Sequence, residues 1–126
     1  MEILIAKSAL MSALAGARAA SPNEFICLLV GRNENGRAVI EDTMIPPGIA
    51  VSETMSSFSE WMLPVLENVV GTFHSHPEGN ARPSPADLRL FSRKGGVNLI
   101  ACAPFGIGNV AAYLGSGKRE AFRVLE

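Results

Sequence analysis

The chain has 126 residues, 48% of them apolar and 18% charged, with a formal net charge of −1. That length suits one domain with its own core, and the composition is that of a globular protein rather than a disordered one. The near-neutral balance gives no electrostatic basis for binding nucleic acid or an anionic membrane, and the apolar runs are too short and interrupted to span a bilayer.

Glu2 to Ala6 is a short apolar strand candidate. Lys7 to Ala20 reads as a helix, because Leu10, Ala13, Leu14 and Ala17 recur on one face at i, i+3, i+4 and i+7. Its Ala- and Leu-rich part imitates a signal peptide, but Glu2 precedes it and no basic cluster opens it, so a folded helix is expected. Ser21-Pro22-Asn23 breaks the helix. Phe25 to Val30 is continuously apolar, the mark of a central strand covered on both faces, and Glu24 stands as a charge at its entrance. Asn35-Gly36 signals a tight turn, with Ala38 to Ile45 returning as the hairpin partner.

Val51 to Asn68 has a mixed pattern, and Pro64 argues against one long helix through it. Val69 to His76 is a buried strand that ends on the protein's two histidines. Ser84 or Pro85 starts a helix running to about Arg93, which Lys94-Gly95-Gly96 stops. Val97 to Ala103 is another buried strand. Asn109 to Leu114 and Lys118 to Leu125 read as a closing hairpin across Gly115-Ser116-Gly117. The expected architecture is α/β, a single-domain mixed sheet packed by about three helices. Cys27 and Cys102 lie in apolar runs without Cys or His neighbours, so buried free thiols and a reducing cytoplasm are expected.

The chemistry concentrates in residues 71 to 91. On a strand, residues i and i+2 face the same way, so His74 and His76 present two imidazoles side by side. Ser75 between them points to the other face and reads as structural. Pro77 holds His76 extended, and a Pro/Gly/Asn-rich loop follows. Ser84-Pro85-Ala86-Asp87 is a good helix start in its own right, with Ser at N-cap, Pro at N1 and an acid at N3. The same acid can return over the two rings, and two histidines with one carboxylate leave a fourth position open, as in a catalytic zinc site. Glu78 competes as the carboxylate, but it lies only two residues beyond His76 on a strand that cannot easily bend it back. Capping alone, or a structural histidine pair, explains each piece separately; the conjunction points to metal.

His74-Ser75-His76-Pro77, then Ser84 and Asp87, with Glu24 upstream, resembles the JAMM (MPN+) zinc metalloprotease signature. Glu24 to Gly31, Met62-Leu63-Pro64, Gly71-Thr72-Phe73 and Leu88 to Phe91 carry the likeness over nearly the whole chain, residues 1 to 126, as one small stand-alone prokaryotic-type domain. The resemblance implies a mixed sheet flanked by helices, akin to the cytidine deaminases. It implies that His74, His76 and Asp87 hold one zinc ion per chain. Glu24 would be the general base, and Ser84 the hydrogen-bond donor to the oxyanion, with no acyl-enzyme formed. The implied substrates are peptide or isopeptide bonds at the C-terminal tail of a ubiquitin-like protein, either a small modifier or a sulfur carrier. Two rivals follow from the same fold: a non-catalytic binding module for ubiquitin-like proteins, and a zinc hydrolase of a small amide.

Overall fold

The computed structural model describes residues 1–45 and 68–126. Eight strands make one mixed sheet: β1 (Glu2–Ala6), β2 (Ile26–Glu34), β3 (Arg37–Met44), β4 (Val69–His76), β5 (Val97–Cys102), β6 (Val110–Leu114), β7 (Arg119–Glu120) and β8 (Arg123–Leu125). Their order across the sheet is β7-β6-β5-β4-β2-β3-β1-β8. Pairing is parallel for β1 with β3, β1 with β8 and β4 with β5, and antiparallel elsewhere. Two α-helices lie among the described residues, α1 (Lys7–Ala20) and α2 (Pro85–Lys94), with a single 3-10 turn at Ile107–Asn109. The mixed stretch from Val51, through which Pro64 argues against one long helix, lies outside the described residues up to position 67.

Alternation along the strands divides the core in two. On β2, Cys27 and Leu29 join a cluster with Leu10 and Leu14 of α1, Phe73 and Leu99, whereas Ile26 and Leu28 pack with Leu90 of α2. A strand buried on both faces must be apolar throughout, which is why Phe25 to Val30 shows no polar alternation. On the α2 side, Phe91 packs with Ile100, Ala111 and Tyr113. Each helix therefore covers one face, and the α2 face carries the histidines.

Two local features shape the frame. At the β2–β3 turn, Asn35 and Gly36 take φ of 51° and 76°, the left-handed pair that a type I′ hairpin demands. On α1, Gly16 leaves room for the Phe25 ring, which a methyl group there would overlap. That contact seats the residue next to Glu24 on the helix.

The C-terminal hairpin is shorter than its sequence suggests. β7 pairs with β6 over two residues, after which the chain crosses Ala121 and Phe122 and adds β8 to the far edge, parallel to β1. Strand propensity marks both segments, but it does not say which neighbour each will find. Glu120 and Arg123 are three Cα steps apart, so the opposite edges of the sheet lie within about 11 Å. The sheet must curl round on itself. Register slips where β2 meets β3 and β4, between Val30 and Gly31 and between Leu29 and Val30, help the bend, because a bulge increases local twist.

Candidate metal centre

The histidines come from the C-terminal end of β4. In the register, His74 lies opposite Ile26 on one side and Ile100 on the other, and His76 lies opposite Cys102. His74 is fully buried and packs 6.4 Å, centroid to centroid, from the Phe91 ring of α2. His76 is half-buried at the mouth. Ser75 faces away: its hydroxyl oxygen accepts the Phe25 N–H at 2.8 Å, and its own N–H donates to the Phe25 carbonyl at 2.9 Å.

Asp87 comes from the first turn of α2, where it does two jobs at once. As N3 of the helix it completes a capping box with Ser84. Asp87 Oδ2 accepts the Ser84 N–H at 2.8 Å, and Ser84 Oγ accepts the Asp87 N–H at 3.1 Å. The same carboxylate reaches the imidazoles, Oδ1 lying 3.2 Å from His74 Nε2 and Oδ2 lying 3.3 Å from His76 Nε2. The cap thus orients the acid rather than competing with a second role. Glu78 is exposed and stands outside this group, and neither cysteine belongs to it. Burial pushes the Cys27 thiol up to about 12, which makes it inert.

Four atoms, His74 Nε2, His76 Nε2 and the two Asp87 oxygens, crowd together, with the two nitrogens 3.2 Å apart. His76 Nδ1 faces the Asn80 carbonyl at 3.3 Å. A carbonyl only accepts, so Nδ1 carries the proton and Nε2 is left with a lone pair. The His76 lone pair and the Asp87 carboxylate then face each other beside His74 Nε2, which is repulsive unless a cation or extra protons fill the space. Tetrahedral zinc, with bonds of about 2.0–2.1 Å, separates its ligand atoms by about 3.3 Å. The N···N separation of 3.2 Å matches that spacing, and each ring nitrogen lies 3.2 to 3.3 Å from one of the two Asp87 oxygens. His74, His76 and Asp87 together make a group able to hold a metal ion.

The electrostatics agree with a site short of positive charge. Burial opposes ionisation of Asp87, but hydrogen bonds from His74 and His76 overcome it and hold the carboxyl far below its usual range. His76 is raised above its ordinary value, chiefly by its hydrogen bond to Asp87. Glu24 is half-buried just ahead of β2, and its Oε2 is shielded from solvent without a partner among the described residues. Burial raises its pKa; the nearby His74 and His76 rings pull it down and the Asp87 and Glu78 carboxylates push it up. Its carboxylate therefore lies within electrostatic reach of the two rings. His74 Nδ1 is likewise buried without a partner among the described residues.

Three supports carry no sequence signal of their own kind. The Asn80 carbonyl that fixes His76 is a backbone group. The Ser75–Phe25 clamp joins residues 50 apart. The Tyr113 hydroxyl donates to the Ala81 carbonyl at 2.9 Å and ties the loop between the ligands to the sheet. Tyr113 is the chain's one tyrosine, and a buried phenol hydroxyl needs such a partner.

Comparison with known proteins meets the same features. The family of prokaryotic homologues of the JAB domain matches residues 6–124. A protein of Haloferax volcanii described as a probable metalloprotease is 34% identical over 129 residues, covering 97% of this chain and 79% of its own length. A JAB1/MPN domain protein from Archaeoglobus fulgidus has a similar structure, with a TM-score of 0.74, 30% identity and full coverage of both chains. A solved structure described as JAMM, a metalloprotease-like zinc site in the proteasome and signalosome, gives 0.75 at 29% identity, again over both whole chains.

Proposed function

The chain belongs to the family of prokaryotic homologues of the JAB domain, with a fold and a histidine–aspartate group of the JAMM metalloprotease type, and from that premise we propose that it is a zinc-dependent peptidase or isopeptidase acting at the C-terminal tail of a ubiquitin-like protein. The observation that carries the proposal is the convergence of His74 Nε2, His76 Nε2 and the Asp87 carboxylate on one spot, each close enough to its neighbours to share a metal ion. Zinc held there would supply a Lewis acid and lower the pKa of a coordinated water from 15.7 to about 7.

The chain's own residues then do the rest. Glu24 takes the proton released by water and delivers it to the leaving amine, a role suited to a carboxylate whose pKa burial has raised. Ser84 Oγ already accepts from the Asp87 N–H, so its hydroxyl proton remains free to donate to the oxyanion. One such donor contributes about 2.7–4 kcal/mol to the transition state. His76 keeps its lone pair toward the site because Asn80 claims the other ring nitrogen. Asp87 is held for its task by the helix start itself.

The test is Glu24→Gln against a set of fusions in which a cleavable group follows the tail of a small modifier or a sulfur carrier. The account expects zinc content equal to wild type and cleavage reduced at least about 100-fold, the low end of a general base's usual contribution. Cleavage at the wild-type rate would remove Glu24 from the reaction. Cleavage of small amides alone, with every fusion intact, would replace the substrate class.

A further inference from the structure

We propose that Arg82 and Arg119 form an anion-binding subsite beside the metal centre, which takes a carboxylate carried by the substrate next to the scissile amide. The inference rests on the peptidase reading above and narrows its substrate class.

The register places Arg119 of β7 directly opposite Tyr113 of β6. Residues paired across antiparallel strands share a face. Tyr113 packs with Phe91, Ile100 and Ala111 under α2, and Ile100 lies beside His74, so Arg119 rises on the histidine face. A cavity of about 300 Å³ opens there, bounded by Gly79, Asn80, Arg82, Cys102, Tyr113 and Arg119 among others. Among the described residues its only charged walls are those two guanidinium groups. Four other arginines are matched: Arg32 pairs with Glu34 and Glu41, Arg37 and Arg123 both pair with Glu2, and Arg18 donates to the Phe105 carbonyl. Neither Arg82 nor Arg119 has an ion pair among the described residues. The chain's net charge is −1, so this is a local concentration of positive charge rather than a bulk property.

The cavity is also built rather than incidental. Its wall is the loop that joins the ligands, and three bonds fix it. Tyr113 holds the Ala81 carbonyl, the Asn80 side chain accepts the Arg82 N–H at 3.1 Å, and the Asn80 carbonyl meets His76 Nδ1 at 3.3 Å. One residue, Asn80, thus touches a metal ligand with its carbonyl and lines the cavity itself, so the cavity lies next to that ligand. Two guanidinium forks there suit the planar, two-oxygen geometry of a carboxylate. The group is either the α-carboxylate of a single residue released by cleavage, or an acidic side chain next to the scissile bond.

The experiment uses three fusions that differ only in the residue after the scissile bond: glycine with a free α-carboxylate, glycine amide, and glutamic acid amide. Wild type is expected to prefer a carboxylate-bearing fusion over glycine amide by about 10–100-fold in kcat/KM, the worth of a charge-assisted hydrogen bond. In R82Q/R119Q, with zinc content unchanged, that preference collapses toward unity. Whichever carboxylate fusion shows the preference identifies its source. A preference that survives the double substitution, or wild type showing none, overturns the proposal.

A binding arm does not depend on catalysis. N-acetylglycine added to zinc-loaded protein should shift the side-chain NMR signals of Arg82 and Arg119, and N-acetylglycinamide should not. Equal or absent shifts overturn the subsite, whether or not any fusion is cleaved. Shifts without any cleavage would leave the subsite standing and remove the peptidase reading instead.

Discussion

Ser75→Ala separates the support of the proposed base from the support of the metal. Ser75 is fully buried, and its hydroxyl is the acceptor for the Phe25 N–H at 2.8 Å. Alanine leaves that N–H buried without an acceptor, while the bond from Ser75 N–H to the Phe25 carbonyl stays. An orphaned buried donor costs about 1–3 kcal/mol. For a domain of this size that lowers the melting temperature by about 4 °C per kcal/mol, hence about 4–12 °C. Phe25 follows Glu24 directly, so the loss also frees the proposed base to drift, and a 1 Å misplacement can cost about 100-fold in rate. The ligands on β4 and α2 keep their own bonds, so zinc content should stay at the wild-type level. Thermal melts, metal analysis and kcat/KM on the same preparations read all three. An unchanged melt would refute the energetic reasoning; zinc lost in parallel with activity would show that Ser75 supports the ligands rather than Glu24.

Other outcomes follow from the double duty of the helix start. Asp87→Asn keeps an oxygen for the Ser84 N–H but is a poor zinc ligand, so metal analysis should find zinc lost while, at a pH where His76 is neutral, the metal-free melt moves by no more than a cap is worth, about 1 kcal/mol; unchanged zinc would reduce Asp87 to a cap. Ser84→Ala should retain zinc, lose about 0.5–2 kcal/mol of stability through the cap, and fall about 10²–10³-fold in kcat. Chelation should abolish activity with modest loss of stability, whereas collapse of the fold in the same melt would make the metal structural. In metal-free protein His76 is raised by Asp87, with the Asn80 carbonyl and Glu24 also favouring its charged form. Its contribution is therefore complete below the unfolded value near 6.5 and fades as pH rises through the higher folded value. Asp87, being depressed, contributes above its ordinary carboxylate range and does not titrate in that window. Zinc binding requires neutral imidazoles, so the added stability from zinc should grow with pH over the same range; melts at several pH values with and without zinc would show opposite slopes, and parallel slopes would contradict the pairing.

What could be read from the chain divides along a physical line. Period-two alternation is local, so His74 and His76 on one face, with Ser75 on the other, follow from β-strand geometry alone. The Asn35-Gly36 turn and the Ser84-Pro85 helix start are equally local. Asp87 is intermediate: its capping role is legible in four residues, but whether the 77–83 loop folds it back over the rings depends on Tyr113 gripping Ala81 from across the sheet. Partner choice is non-local, which is why the C-terminal segment reads as one hairpin and is instead split between opposite edges. The Asn80 carbonyl has no side-chain identity to read, and Arg82 and Arg119 are 37 positions apart until the register of β6 and β7 sets them around one cavity.

The claim on which the rest stands is that three side chains share one ion. A crystal of zinc-loaded protein, measured at the zinc absorption edge, tests it directly. One anomalous peak about 2.0–2.2 Å from His74 Nε2, His76 Nε2 and an Asp87 oxygen is predicted. A peak elsewhere, or none at full zinc loading, would contradict it.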